Sequence, residues 1–251
     1  MNDIELSILL PAFIAGLLVL ATHIPFGMKV LERGVIFADL AVAQIAGLGV
    51  IIAALLNLSD QPLLVQLIAA ASALCGAALL AWIESSLTDV KEACIGLTFV
   101  LAASGGILLM SRDVHAGEHL KDLLVGQILW VSSNQLISTA LLTAILLALW
   151  RWTTLKTRNL GFYGLFALAV TASVQLVGVY LVFASLIVPT LATYRIKHRR
   201  TLHAFAVGIS GYAVGLLLSA WFDLPSGATV VWAMAATGVL TAWWLNARKT
   251  A

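Results

Sequence analysis

The sequence predicts an all-α, polytopic integral membrane protein with about nine transmembrane or partly spanning helices. Three observations carry this reading. The 251 residues are 61% hydrophobic and only 10% charged, with mean hydropathy +1.02, whereas a soluble domain is about a quarter charged. The charges are missing from long stretches, and one helical crossing takes about 20 apolar residues. Those stretches are continuous, which excludes the short alternating strands of an outer-membrane barrel. Backbone amides and carbonyls in lipid must be satisfied within the segment, so the spans are helices. No polar block is long enough for a separate soluble domain, so residues 1–251 read as one transmembrane domain.

Clusters of charge, Pro, Gly and Asn separate the spans, which fall near 6–28, 35–56, 63–83, 93–111, 134–150, 204–222 and 227–246. The first begins in MNDIELSILLPAF, which has two acids and no basic n-region. It is a poor signal peptide and is expected to be a retained span. Cys75 and Cys94 stand alone in apolar stretches and read as small buried fillers, not as a disulfide or metal pair. Small residues are dense inside the spans, as in Ala69–Ala73 and at Gly208, Gly211 and Gly215, where they permit close helix packing. Trp82, Trp150, Trp152, Trp221, Trp243 and Trp244 fall at expected span ends, as interfacial belts favour.

One uncharged run, Asn159 to Tyr194, is 36 residues long. That exceeds one upright span and barely suffices for two. Gly178 lies near its middle and Pro189 near its end, and these are the candidate helix breaks. Lys and Arg collect in cytoplasmic loops. If the run crosses once, the 14 basic residues split 6 to 8 between the two sides. If it crosses twice, turning near Gly178, 12 of them share one side and only Arg112 and Lys121 lie opposite. The second count predicts nine crossings, an outside N-terminus and a cytoplasmic C-terminus, with one half of the run tilted, broken or only partly spanning.

Few residues could carry chemistry. Asp39 is the one acid within the expected spans, and a carboxylate there is expensive unless it is paired, wetted or functional. The alternative is a helix-start carboxylate partnered by Arg33 or a backbone amide. Gln44 lies about 140° round the helix from Asp39 and reads as a packing amide. In the loop Arg112–His119, His115 and His119 stand four apart with Glu118 between them. Such a set could hold a borderline cation such as zinc, or could be solvated loop residues. His23, before Pro25, reads as structural, and His198 and His203 read as surface residues. There is no G-x-x-x-x-G-K-[ST] loop, no H-E-x-x-H and no G-x-S-x-G, so the chain offers no catalytic residues of those kinds. No basic face with interleaved aromatics points to nucleic acid.

Three segments together resemble the permease subunits of metal-ion ABC transporters, the ABC-3 zinc, manganese and iron uptake family. The first is Glu32-Arg33-Gly34-Val35-Ile36-Phe37-Ala38-Asp39 and the small residues through Gly47 and Gly49. The second is Ile95-Gly96-Leu97 with Leu123-Leu124-Val125-Gly126-Gln127-Ile128-Leu129. The third is Val174-Gln175-Leu176-Val177-Gly178-Val179-Tyr180-Leu181-Val182, then Leu186-Ile187-Val188-Pro189 and Asp223-Leu224-Pro225-Ser226-Gly227. The likeness covers nearly the whole chain.

The resemblance implies a permease subunit of an ATP-driven importer in the bacterial plasma membrane, working as a pair with a second copy of itself. The implied partners are cytoplasmic ATP-binding subunits, which would carry out ATP hydrolysis, and an extracytoplasmic metal-binding protein. The chain itself would bind no resident cofactor, and its cargo would be a divalent transition metal, zinc foremost. Asp39 matches the family's acid. The family's histidine four residues on is here Ala43; His115 and His119 could compensate at the outer mouth, though nothing in the family pattern maps there. The segment Arg151–Leu160 is shorter than the family's coupling region, so Arg151, Lys156, Arg158 and Arg195 are the expected ATPase-coupling residues. The other reading is a permease-like carrier of another substrate, or one without a conventional ATPase partner.

Overall fold

The structure, a computed structural model, describes residues 3–56, 58, 60–110, 126, 128–152, 158–196 and 198–250, with side chains described between 7 and 244. Among the described residues there are nine α-helices and no strand. They are α1 (Asp3–Arg33), α2 (Ala38–Leu55), α3 (Pro62–Ser86), α4 (Lys91–Met110), α5 (Ser133–Trp152), α6 (Asn159–Val177), α7 (Val179–Ala192), α8 (Arg200–Phe222) and α9 (Ser226–Thr250). A 3₁₀ turn, Ile128–Trp130, precedes α5. Eight of the helices are long and apolar enough to cross a membrane; α7, with 14 residues, is shorter. At 1.5 Å per residue it reaches about 21 Å, against a hydrocarbon core of about 30 Å. The long uncharged run is therefore two helices, the second only partly spanning.

The outward surface suits a lipid solvent. Only 11% of the apolar window of α5 and 22% of that of α4 is buried in the chain. In water such faces would be large exposed apolar patches; in lipid they need no cover. Side-chain hydroxyls inside the helices bond carbonyls of their own helix, as Thr98 does to Cys94, Ser104 to Val100 and Thr171 to Ala167. This satisfies polar atoms where no water is present. Trp82, Trp152, Trp221 and Trp243 are exposed near helix ends, as interfacial anchors should be.

The chain divides into two compact units. Unit 1 holds α1 through Glu32, residues 124–143, and the chain from Gln175 onward. Within it α9 packs on α7 and α8. Glycines permit the close approach: a Cβ on Gly211 would lie 2.7 Å from the Met234 Cα, and one on Gly208 would lie 2.6 Å from the Leu20 side chain. The Asp223-Leu224-Pro225 link is a tight turn. Asp223 is left-handed (φ 52°), the Leu224 amide donates to the Ser219 carbonyl, and the Ser219 hydroxyl donates to the Leu224 carbonyl at 2.7 Å. Unit 2 holds residues 33–123 and 144–174. There α2 packs on α3 and α4, with Gly49 against Ser72 and Ala69, and Gly76 against Ile45. The small-residue stretches are thus packing surfaces.

Two expectations need correction. Cys75 is exposed and Cys94 half-buried, both free, so neither is a buried filler. Position 75 falls on the outer side of α3, where a thiol is apolar enough to face lipid. Asp39 is also not alone among acids within helices. Helix α3 runs to Ser86 and α4 starts at Lys91, so Glu84 and Glu92 are helical too. Helices extend past the apolar window because charged ends can stay helical in the interface.

Candidate functional site

The segment entering α2 is held by charge. Gly34 takes a left-handed conformation (φ 65°), ending α1 and turning the chain. The Arg33 guanidinium donates to Glu84 at 2.7 Å and to Asn159 Oδ1 at 2.9 Å. It also lies 4.4 Å from the Phe162 ring centroid, a cation–π contact. Phe162 in turn stacks on Phe166 at 5.6 Å. The Lys91 ammonium donates to the Arg33 carbonyl, and the Phe37 amide donates to Glu92 Oε1 at 3.1 Å. Four hydrogen bonds and one cation–π contact thus tie the α1–α2 connection to the end of α3 and the starts of α4 and α6. The Arg33 and Glu84 side chains are each 11% exposed. Removing one partner of a pair this buried leaves the other charge uncompensated. Glu84→Ala is therefore expected to lose about 3–5 kcal/mol of stability, measurable as a fall in melting temperature of the detergent-solubilised protein. Arg33→Met combined with Glu84→Leu should lose much less than the single changes add up to.

This clamp leaves Asp39 unpaired. Asp39 lies in the first turn of α2, 1% exposed. Among the described residues neither carboxylate oxygen has a hydrogen-bond partner. Arg33 is engaged with Glu84 and Asn159, and α2 has no side-chain N-cap, so the alternative of an Arg33-partnered helix-start carboxylate does not hold. The helix N-terminus gives the carboxylate modest support. What remains is a desolvated oxygen donor, the costliest kind of buried group unless it serves a ligand. Ala43, one turn on, is buried and adds no donor; Gln44 is half-buried.

The other expected residues are dispersed. His115, Glu118 and His119 lie outside the described residues, as does Lys156. Arg151 is exposed in the last turn of α5; Arg158 and Arg195 are exposed in turns. Among the described residues no three His, Cys, Asp or Glu gather as a metal cage.

Gly178 and Pro189 do shape the chain. Gly178 (φ 81°, ψ 162°) caps α7 in a conformation open essentially to glycine alone. Against it sits Gly126 (φ 69°), where a Cβ would overlap the Val177 carbonyl and the Gly178 nitrogen. Two of the segments singled out in the sequence meet here, backbone on backbone. Pro189 lies buried inside α7, where Thr193 donates to its carbonyl at 2.8 Å. Arg200 caps the α7 carboxyl end through the Thr190 carbonyl at 3.2 Å.

Sequence reasoning missed Glu84 and Asn159 as partners of Arg33. It also missed the state of His23, which is 1% exposed. The signal for the first was a lone acid and a lone base at span ends, with nothing to pair them.

Known proteins agree with this architecture. The solved structure titled PsaBC from Streptococcus pneumoniae in complex with Fab superposes with a TM-score of 0.72 at 20% identity, covering 93% of this chain and 89% of that one. A Haemophilus influenzae protein named as a probable iron transport system membrane protein is 26% identical over 172 residues, 60% of this chain and 63% of its own. A Cyanophora paradoxa uncharacterized membrane protein is 29% identical over 175 residues, covering 60% of this chain and 58% of that protein. The chain thus spans less than two thirds of these curated relatives. The model of the ABC 3 transport family matches residues 5–160 and 153–245. Eight apolar helices of spanning length make the chain a multi-pass protein of the bacterial inner membrane. With that match running through both of its units, the chain belongs to the ABC 3 transport family of ABC-transporter permeases.

Proposed function

We propose that this chain is the membrane-spanning permease subunit of an ATP-driven importer for a divalent transition metal, with zinc the first candidate. The observation that carries the reading is Asp39, a buried carboxylate with both oxygens unpartnered near the start of a spanning helix. Such an oxygen donor suits a hard or borderline cation. One carboxylate without a surrounding cage binds weakly, as release during transport requires. The naming of the Haemophilus relative as a probable iron transport system membrane protein supports a transition-metal cargo. The sequence puts His115, Glu118 and His119 in a loop expected at the outer mouth, where the two imidazole nitrogens and the carboxylate would favour zinc.

The chain works with a second copy of itself, cytoplasmic ATP-binding subunits and an extracytoplasmic metal-binding protein, and holds no resident cofactor. ATP hydrolysis belongs to the partners. Their closure reaches the helices through Arg151, Lys156, Arg158 and Arg195; the exposure of three of these favours that role. The 12-to-2 bias of basic residues supports an outside N-terminus and a cytoplasmic C-terminus.

The test is growth of a deletion strain under chelation, restored metal by metal, with uptake of radioactive zinc, manganese and iron. Expected is zinc-dependent rescue by the wild-type gene. Restoration by no divalent metal would overturn the reading in favour of a carrier of another substrate.

A further inference from the structure

The site described above uses one oxygen donor in unit 2. Unit 1 contains a buried nitrogen donor that the site does not use, His23 on α1. Its Nδ1 lies 3.0 Å from the Val19 carbonyl oxygen and 3.0 Å from the Thr22 hydroxyl oxygen. The Thr22 hydroxyl in turn lies 3.1 Å from the same Val19 carbonyl, to which it donates.

These contacts decide the tautomer. A carbonyl oxygen only accepts, so Nδ1 carries the proton and donates to Val19. The neutral ring then presents a bare lone pair at Nε2. That atom is buried and has no hydrogen-bond partner. A ring held by a backbone carbonyl through one nitrogen, with the other nitrogen free, is how metal-ligating histidines are oriented. Most buried polar side-chain atoms have a partner, so the free Nε2 calls for an explanation.

The position on α1 adds to this. Gly16, Leu20, His23 and Gly27 follow a three- and four-residue spacing and share one helix face. Gly16 on that face meets the Tyr212 ring, Leu20 meets Gly208, and Gly27 meets the Leu186 carbonyl of α7. His23 therefore sits between levels where α1 abuts α8 and α7. That seam is polar as well as apolar. Ser185 and Tyr212, both fully buried, share a hydrogen bond of 2.9 Å across α7 and α8. Pro25 lies within the same turn of α1 and has no amide to donate to the Ala21 carbonyl.

We infer that His23 Nε2 is a transient nitrogen ligand for the transported cation, and that it tilts selectivity toward zinc over manganese. The inference rests on the proposed divalent-metal reading. Imidazole suits zinc, while carboxylate, carbonyl and water suit manganese.

Two substitutions separate ligand from scaffold. His23→Asn keeps an N–H near Nδ1 that can donate to Val19 but has no lone pair at the Nε2 position. His23→Gln places a carboxamide near Nε2, an oxygen in place of a nitrogen. Uptake of radioactive zinc and manganese is measured in deletion cells expressing the whole transporter, with melting temperatures of the purified complex. Expected is a KM for zinc raised at least about tenfold in His23→Asn, the smaller end of the loss usual when a metal-site group is removed. Manganese KM should change less than about threefold, and His23→Gln should shift preference to manganese. Unchanged zinc and manganese KM in His23→Asn would overturn the inference and leave the transporter reading standing. Equal losses for both metals that follow a lowered melting temperature would assign His23 a structural role and overturn it too. Absence of metal uptake by wild type would instead remove the function on which it rests.

Discussion

Asp39→Leu should abolish divalent-metal uptake and, at the same time, raise the stability of the protein. The two effects have one cause. The Asp39 carboxylate is buried with neither oxygen bonded, and an unsatisfied buried polar group costs about 1–3 kcal/mol, more when charged. Leucine has no polar atom; it is bulkier than aspartate, and overpacking offsets part of the gain. The loss of a first-turn acid subtracts only about 0.3–1 kcal/mol of helix-dipole support. The net gain corresponds to a melting temperature higher by roughly 2–4 °C for a chain of this size. Uptake should fall below detection, and Asp39→Asn should lose most of it while keeping the shape. Wild-type uptake in Asp39→Leu at every metal concentration would take Asp39 off the transport path. A fall in melting temperature in both Asp39→Leu and the size-matched Asp39→Asn would show that a partner satisfies the carboxylate.

The contact between Gly126 and Gly178 should be the most sensitive backbone position. A Cβ at Gly126 would overlap backbone atoms of Val177 and Gly178, which cannot swing aside as a side chain can. The left-handed backbone at Gly126 adds about 1–2 kcal/mol for any L residue, and overpacking adds about 1–3 kcal/mol. Gly178→Ala is strained by its conformation alone, by about 1–3 kcal/mol. Gly126→Ala is thus expected to lower the melting temperature more than Gly178→Ala, with the double change less than additive. Gly164 is the internal control. It lies inside α6, and a Cβ there would meet nothing within 4 Å. Gly164→Ala should be neutral or stabilise by about 0.5–1 kcal/mol, the usual helix preference. Equal melting temperatures for Gly126→Ala and Gly164→Ala would show that the close approach is absent.

The unpartnered state of Asp39 also explains why one residue stood out in the sequence. A lone acid in an apolar stretch is visible as a composition anomaly, because lipid gives charge no other reason to be there. Its environment was not visible. Whether Arg33 paired with it depended on Glu84, 51 residues away, and on Asn159, 126 residues away. The Cys75 expectation failed for the same reason. An apolar window cannot say which of its faces points inward when lipid and protein interior are equally apolar. Hydrophobic periodicity, the usual guide, is weak here.

Helix number, approximate bounds, membrane residence and the division of the long run at Gly178 were all present in the order of residues. They depend on local hydropathy and local backbone freedom, which are properties of short windows. The clamp on Arg33 and the contact of Gly126 with Gly178 arise only when distant segments are brought together. Long-range pairing is chosen by shape and by which polar atoms remain unsatisfied, and neither is written in any single window.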